Sequence, residues 1–137
     1  MKLHILLFIP ALIWFIIIFI LLTLPGSDLP SSSFLTEIDF DKFVHISLFS
    51  IFVFLISYPF IKNKNLYTGT YILIAVLALV YGILMEFVQK YFAIGRSCDV
   101  LDMVADACGC ALGFFYAKWR LKNQFVQKNT QSRKDNF

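Results

Sequence analysis

Four long apolar stretches, separated by short polar segments, dominate the pattern of this chain. They cover residues 5–24, 42–61, 68–89 and 99–119. A helix needs about 20 residues to cross the hydrocarbon core of a bilayer, which is about 30 Å thick, so each stretch has the length of a membrane span. The pattern predicts an all-α membrane protein, folded as a bundle of four transmembrane helices.

The segments outside these stretches have the composition of loops and tails. Residues 25–39 are rich in serine and proline, which indicates a loop, and residues 62–65 form a short basic turn. Residues 120–137 are polar and basic, and we predict a disordered tail. We therefore expect one membrane domain over residues 1–119, because the chain has no room for a second.

The composition agrees with a membrane protein. Hydrophobic residues make up 59% of the chain and charged residues only 15%, whereas soluble domains carry about 25% charged residues. The net charge of +3 does not indicate a nucleic-acid partner, because the basic residues flank the apolar stretches. The sequence also has no P-loop, G-x-G-x-x-G, H-E-x-x-H or serine-nucleophile motif.

The distribution of lysine and arginine predicts the orientation in the membrane. If the N-terminus is cytoplasmic, nine of these residues fall on the cytoplasmic side and three on the outer side. The three outer ones are Lys42, Lys90 and Arg96. Basic residues favour the cytoplasmic side, so we expect both termini in the cytoplasm.

Polar residues are concentrated at one end of the second and third stretches. Asp41, Lys42 and His45 open the second, and helical spacing puts His45 on the same side as both charged neighbours. Glu86 and Gln89 close the third stretch on one face. With the predicted orientation, all of these residues come to the outer side.

The fourth stretch continues this polar face. Asp102, Asp106, Gly109 and Gly113 follow at steps of four, three and four residues, which makes a single helical stripe. Small residues at such spacing let helix backbones approach closely, so the aspartates should point into the bundle. A buried carboxylate needs a partner or a proton, and the candidate partners of Asp106 are Arg96, His45 and Lys42.

Two interpretations of this constellation remain open. In one, the residues form an ion-pair and hydrogen-bond cluster that fixes the helix register. In the other, they line a pocket that opens outward. Charged groups inside a membrane cost about 2.5–3.5 kcal/mol each on insertion scales, so they persist where they are paired, hydrated or functional.

Several motifs in this order resemble the VanZ-like family of small bacterial membrane proteins. They are the loop TLPGSDLP, the motif Asp41-Lys42-x-x-His45 with Phe49 one turn later, Glu86-x-x-Gln89, Arg96-Ser97, Asp102 and Gly109-x-x-x-Gly113. The resemblance covers residues 20–116 and implies a location in the bacterial cytoplasmic membrane. One position departs from it: Asp106 stands where the family usually has asparagine, which adds a negative charge or a proton to the site.

The resemblance implies a link to low-level resistance to the glycopeptide teicoplanin, which acts on lipid-anchored cell-wall precursors outside the membrane. We therefore expect binding or processing of an anionic, lipid-linked envelope component. His45, Glu86 and Asp102 are the candidate catalytic residues. The candidate binding residues are Asp41, Lys42, Gln89, Arg96, Asp99 and Asp106.

Two questions stay open at the level of sequence, the class of function and the presence of a metal. The chain could be an enzyme or binder, a non-catalytic assembly protein, or a small transporter, for which four spans would require a homo-oligomer. One histidine with scattered carboxylates lacks the tight spacing of a zinc motif, so a metal is only weakly indicated. An oxygen-rich site would favour magnesium or manganese as a divalent cation.

Overall fold

The structure is a computed structural model that describes residues 5–25, 40–63 and 67–134. Side chains are described for these residues except 125 and 127–134. Apart from Pro25, the predicted loop between the first two spans lies outside the described residues. Part of the basic turn after the second span also lies outside them.

Every regular element in the described part of the chain is helical. A short 3-10 helix, Ile5–Phe8, leads into α1, Ile9–Thr23. The other helices are α2, Phe40–Lys62, α3, Thr68–Phe92, and α4, Val100–Lys134. The four predicted spans are all present, with boundaries that differ by up to three residues except at the end of α4.

The end of α4 differs from the sequence prediction. The tail that we expected to be disordered from residue 120 is helical as far as Lys134. Residues 118–134 contain no glycine or proline, so nothing in their backbone chemistry stops the helix. Leu121 is also buried, in a cluster with Ile61, Tyr71 and Ala117, so the helix still packs against its neighbours beyond residue 119.

Four helices are long and apolar enough to cross a membrane: Ile5–Thr23, Phe40–Lys62, Thr68–Phe92 and the Val100–Gln124 part of α4. Each one exposes large apolar side chains, for example Leu12, Leu77 and Phe115. In water such a surface would be unfavourable, whereas in a bilayer it contacts acyl chains. The described residues therefore form a multi-pass membrane bundle.

The closest packing in the bundle joins α2 and α4. A Cβ atom added to Gly109 would lie 2.5 Å from the backbone oxygen of Ile46, and one added to Gly113 would lie 2.5 Å from that of Ser50. Both glycines are therefore needed for the close approach of the two backbones. The stripe that contains Asp102 and Asp106 also contains these glycines, so the approach turns both aspartates toward α2.

The core lies between the helices and holds α1 in place. Phe49 and Val53 of α2 are fully buried, together with Ile18 of α1. The indole Nε1 of Trp14 donates a hydrogen bond of 2.9 Å to the backbone oxygen of Leu48. Trp14, in the middle of the first span, thus has a specific polar contact with α2.

Candidate functional site

One end of the bundle holds a group of ionisable side chains that come from three segments. They lie on the first turns of α2, on the last turns of α3 and around the start of α4. We call this group the polar cluster; its residues are Asp41, Lys42, His45, Glu86, Asp99, Asp102 and Asp106. Five carboxyl groups therefore face one ammonium group and one imidazole.

Lys42 lies at the centre of the more exposed half of the polar cluster. Its Nζ is 3.2 Å from Asp41 and 3.4 Å from both Asp99 and Asp102. These contacts connect α2 to the α3–α4 connection and to the first turn of α4. The ammonium group is thus surrounded by carboxylates that neutralise its charge.

His45 lies in the buried half, with only 2% of its side chain exposed. Its Nδ1 is 2.9 Å from Oδ1 of Asp106, which is itself fully buried. Its Nε2 is 3.9 Å from Oδ2 of Asp102, beyond hydrogen-bond distance. Of the three partners that the sequence allowed for Asp106, the structure selects His45.

Gly82 of α3 makes room for this pair. A Cβ atom at this position would lie 2.5 Å from Oδ2 of Asp106. Sequence reasoning missed this residue, although its spacing carried a signal. Gly82 precedes Glu86 by four residues, on the buried face of α3 that also carries Gln89.

Asp99 and Glu86 fix the start of α4. The Asp99 carboxylate accepts a hydrogen bond of 2.8 Å from the backbone N–H of Leu101, as an N-cap residue does. This bond, together with the Lys42 ammonium, holds the pKa of Asp99 below its ordinary value. The backbone N–H of Asp99 donates to Oε2 of Glu86 at 3.0 Å, which connects α3 to α4.

Gln89 and Arg96 were also predicted as site residues, and they stand apart from these contacts. Gln89 is 1% exposed, and its Nε2 has no hydrogen-bond partner among the described residues. Arg96 lies in the connection before Asp99 and is partly exposed. Its Nε is buried without a partner, and in the described chain no carboxylate forms an ion pair with it.

Two groups of side chains within the polar cluster have the spacing of metal ligands. The first is His45, Glu86 and Asp102, all buried, and the second is Asp41, Asp99 and Asp102. In each group, one donor atom per residue lies within 4.8 Å of the others. The arrangement can therefore bind a cation, hold or transfer protons through His45, or serve as a structural ion-pair network.

Comparisons with family models, with curated proteins and with solved structures gave no match to this chain. The resemblance to the VanZ-like family therefore rests on the motifs alone and stays a prediction.

Proposed function

We propose that this protein is a multi-pass protein of the bacterial cytoplasmic membrane that binds, and through His45 processes, an anionic lipid-linked component of the cell envelope. One observation carries the proposal. The polar cluster, with its buried and hydrogen-bonded His45–Asp106 pair, lies at one end of an otherwise apolar bundle. Arg96, which has no acidic partner in the described chain, lies just before Asp99 in the connection between α3 and α4.

Arg96 is the residue that binds the anion. The ammonium group of Lys42 already contacts three carboxylates, so it has little charge left for a ligand. Arg96 is partly exposed and unpaired within the described residues, and a guanidinium group matches phosphate or carboxylate with two parallel hydrogen bonds. Lys42 instead positions Asp99 and Asp102.

His45 is the acid–base group of the proposed site. An ionised Asp106 can only accept a hydrogen bond, so the imidazole donates from Nδ1, and its Nε2 is then the atom that exchanges a proton with a substrate. Asp106 holds the ring in this orientation, and Glu86 and Asp102 border it from α3 and α4. Catalysis, as distinct from binding, depends on this pair.

The proposed orientation puts the polar cluster outside the cell. It follows from the predicted excess of basic residues on the opposite side, nine against three. The VanZ-like motifs support the same placement, because the lipid-anchored precursors that teicoplanin recognises lie outside. The envelope component and the link to teicoplanin resistance are both taken from that resemblance.

The first experiment measures teicoplanin resistance in a susceptible bacterium that expresses the protein. We expect Arg96→Ala and His45→Ala each to abolish any increase in resistance while the protein still accumulates in the membrane. Arg120→Ala is the matched control, because it removes an exposed arginine that lies about 30 Å along α4 from the start of that helix. Full resistance in both site variants would contradict the proposal.

The second experiment tests the orientation with a native residue. Cys98 is partly exposed in the connection between α3 and α4, whereas Cys110 is buried and Cys108 lies within the fourth span. A membrane-impermeant maleimide added to intact cells should therefore label the wild type and not Cys98→Ser. Labelling that appears only after the cells are opened would place the polar cluster in the cytoplasm and refute the outward orientation.

A purely structural role is the second candidate, and one observation favours it. The contacts of Lys42 with Asp99 and Asp102 and the Glu86–Asp99 hydrogen bond all join separate segments of the protein to one another. In an assembly protein without chemistry, Asp102→Asn would lower the amount of folded protein and the phenotype in proportion. In the proposed binder or enzyme, the phenotype would fall further than the amount of protein.

A further inference from the structure

We propose that His45, Glu86 and Asp102 bind a divalent metal cation of the Mn²⁺ type at the buried side of the polar cluster. A role of this ion in the activity rests on the proposed function, because the ion would lie in the same site. Its binding can be measured independently of that activity. Carboxylate oxygens with one imidazole nitrogen form a donor set that suits Mn²⁺.

The geometry of the three donors fits one ion. Their donor atoms lie within 4.8 Å of one another, and Nε2 of His45 is 3.9 Å from Oδ2 of Asp102. That distance is too long for a hydrogen bond. Neighbouring ligands of an octahedral ion, the geometry typical of Mn²⁺, lie about 3 Å apart at metal–ligand distances of about 2.1 Å, so a side-chain movement of about 1 Å would complete the site.

An unpartnered oxygen lies at the same place. Glu86 is fully buried, and while its Oε2 accepts from Asp99, its Oε1 has no hydrogen-bond partner among the described residues. Both oxygens belong to one carboxylate, so the unpartnered one lies within the group of donors or directly beside it. A buried acceptor without a partner is costly, and a bound cation would satisfy it.

The environment of His45 is that of a metal ligand. Histidines that bind metals usually donate their other ring N–H to a carboxylate, which fixes the ring and increases the basicity of the ligating nitrogen. Asp106 occupies this position, 2.9 Å from Nδ1. It leaves Nε2, on the side of Asp102, as the nitrogen that a bound ion would take in place of the proton that Nε2 exchanges when no ion is present.

The charges select this group over the second group of carboxylates. Lys42 Nζ contacts all three members of the second group but only Asp102 of the first, so the ammonium group would repel a divalent cation more strongly in the second group. The polar cluster as a whole still contains five carboxyl groups against two basic groups. This excess favours the uptake of a cation on the side of His45.

The experiment measures Mn²⁺ binding to the purified full-length protein in lipid nanodiscs after removal of metals with a chelator. Free Mn²⁺ is followed by its electron paramagnetic resonance signal. Thiolates prefer softer metals, so the cysteines should not compete. We expect one Mn²⁺ per chain, affinity at least about tenfold lower in Glu86→Gln, and affinity about 10–100-fold lower in Asp106→Asn through the orientation of His45.

Asp41→Asn separates the two groups, because Asp41 belongs only to the second group. It removes a neighbouring charge and no proposed ligand, so it should lower the affinity much less than Glu86→Gln does. The absence of saturable binding to the wild type, or an equal loss in Asp41→Asn and Glu86→Gln, would overturn the metal site. Helical content and thermal unfolding identify a variant that fails to fold, and His45→Gln then takes its place.

Arg96→Ala separates this site from the proposed function. Retained Mn²⁺ binding with lost teicoplanin resistance supports both proposals. Retained resistance without any Mn²⁺ binding refutes the metal alone. Saturable Mn²⁺ binding that depends on Glu86, in a protein whose Arg96→Ala and His45→Ala variants keep full resistance, supports the metal and refutes the proposed function.

Discussion

Gly82→Ala tests directly how the fold positions the site. An added Cβ would lie 2.5 Å from Oδ2 of Asp106, and ordinary van der Waals contact begins at 3.4 Å, so the two groups must separate by about 0.9 Å. Asp106 is fully buried and anchored to His45 at 2.9 Å. A displacement of that size is enough to stretch this hydrogen bond beyond about 3.2 Å.

The expected cost follows from two effects. Overpacking a tight site costs about 1–3 kcal/mol, and loss of a hydrogen bond to a charged group costs about 1.5–3 kcal/mol. These two costs are not additive, because a movement of Asp106 that relieves the overpacking weakens its hydrogen bond to His45. We therefore expect Gly82→Ala to lower the free energy of unfolding by about 2–4 kcal/mol, measured by circular dichroism during denaturation in mixed micelles.

A double-mutant cycle with Asp106→Ala gives the decisive comparison. Removing the carboxylate abolishes the 2.5 Å contact, although the added Cβ would still lie 3.1 Å from Cβ of residue 106, and alanine is the better helix former by about 0.5–1 kcal/mol. Gly82→Ala should then cost clearly less stability in that background than in the wild type. An equal loss of stability with and without the Asp106 carboxylate would refute the account of the packing between α3 and α4.

Two further predictions concern other contacts. Because the folded-state pKa of Asp99 lies below the ordinary 3.8, its stabilising contribution is present above that pH and is lost as the pH falls through the lowered value. Asp99→Asn should be slightly less stable than the wild type at pH 7, and this difference in stability should disappear on acidification. Thermal unfolding of both proteins across a range of pH measures the difference. A difference that stays constant with pH would contradict the prediction. Trp14→Phe removes the hydrogen bond to Leu48 and should cost about 1 kcal/mol in denaturant unfolding, whereas an unchanged midpoint would show that the contact contributes nothing.

The sequence was informative wherever a short-range pattern determines the structure. The length and apolarity of four stretches were enough to predict four membrane helices, because a bilayer allows few alternatives for an uninterrupted apolar segment. The helical spacing of Asp102, Asp106, Gly109 and Gly113 predicted the packed face of α4. The structure confirms both, with the glycines against the backbone of α2.

The boundary of α4 shows where such reasoning fails. Polar composition suggested disorder after residue 119, but the burial of Leu121 and the absence of helix breakers continue the helix to Lys134. A polar composition indicates that a segment is exposed to water, but it does not determine the conformation of its backbone. A polar extension that begins on a packed helix can remain helical.

The sequence by itself determined that the chain has four helices long and apolar enough to span a membrane and that the residues of the polar cluster lie at one end of them. Only the tertiary structure decided how they pair: His45 with Asp106, Lys42 with three carboxylates and Arg96 with none in the described chain. The physical reason is that helical spacing fixes the face of each helix on which a residue lies. The rotation and depth of one helix against another depend on contacts far apart in sequence, such as Gly82 against Asp106.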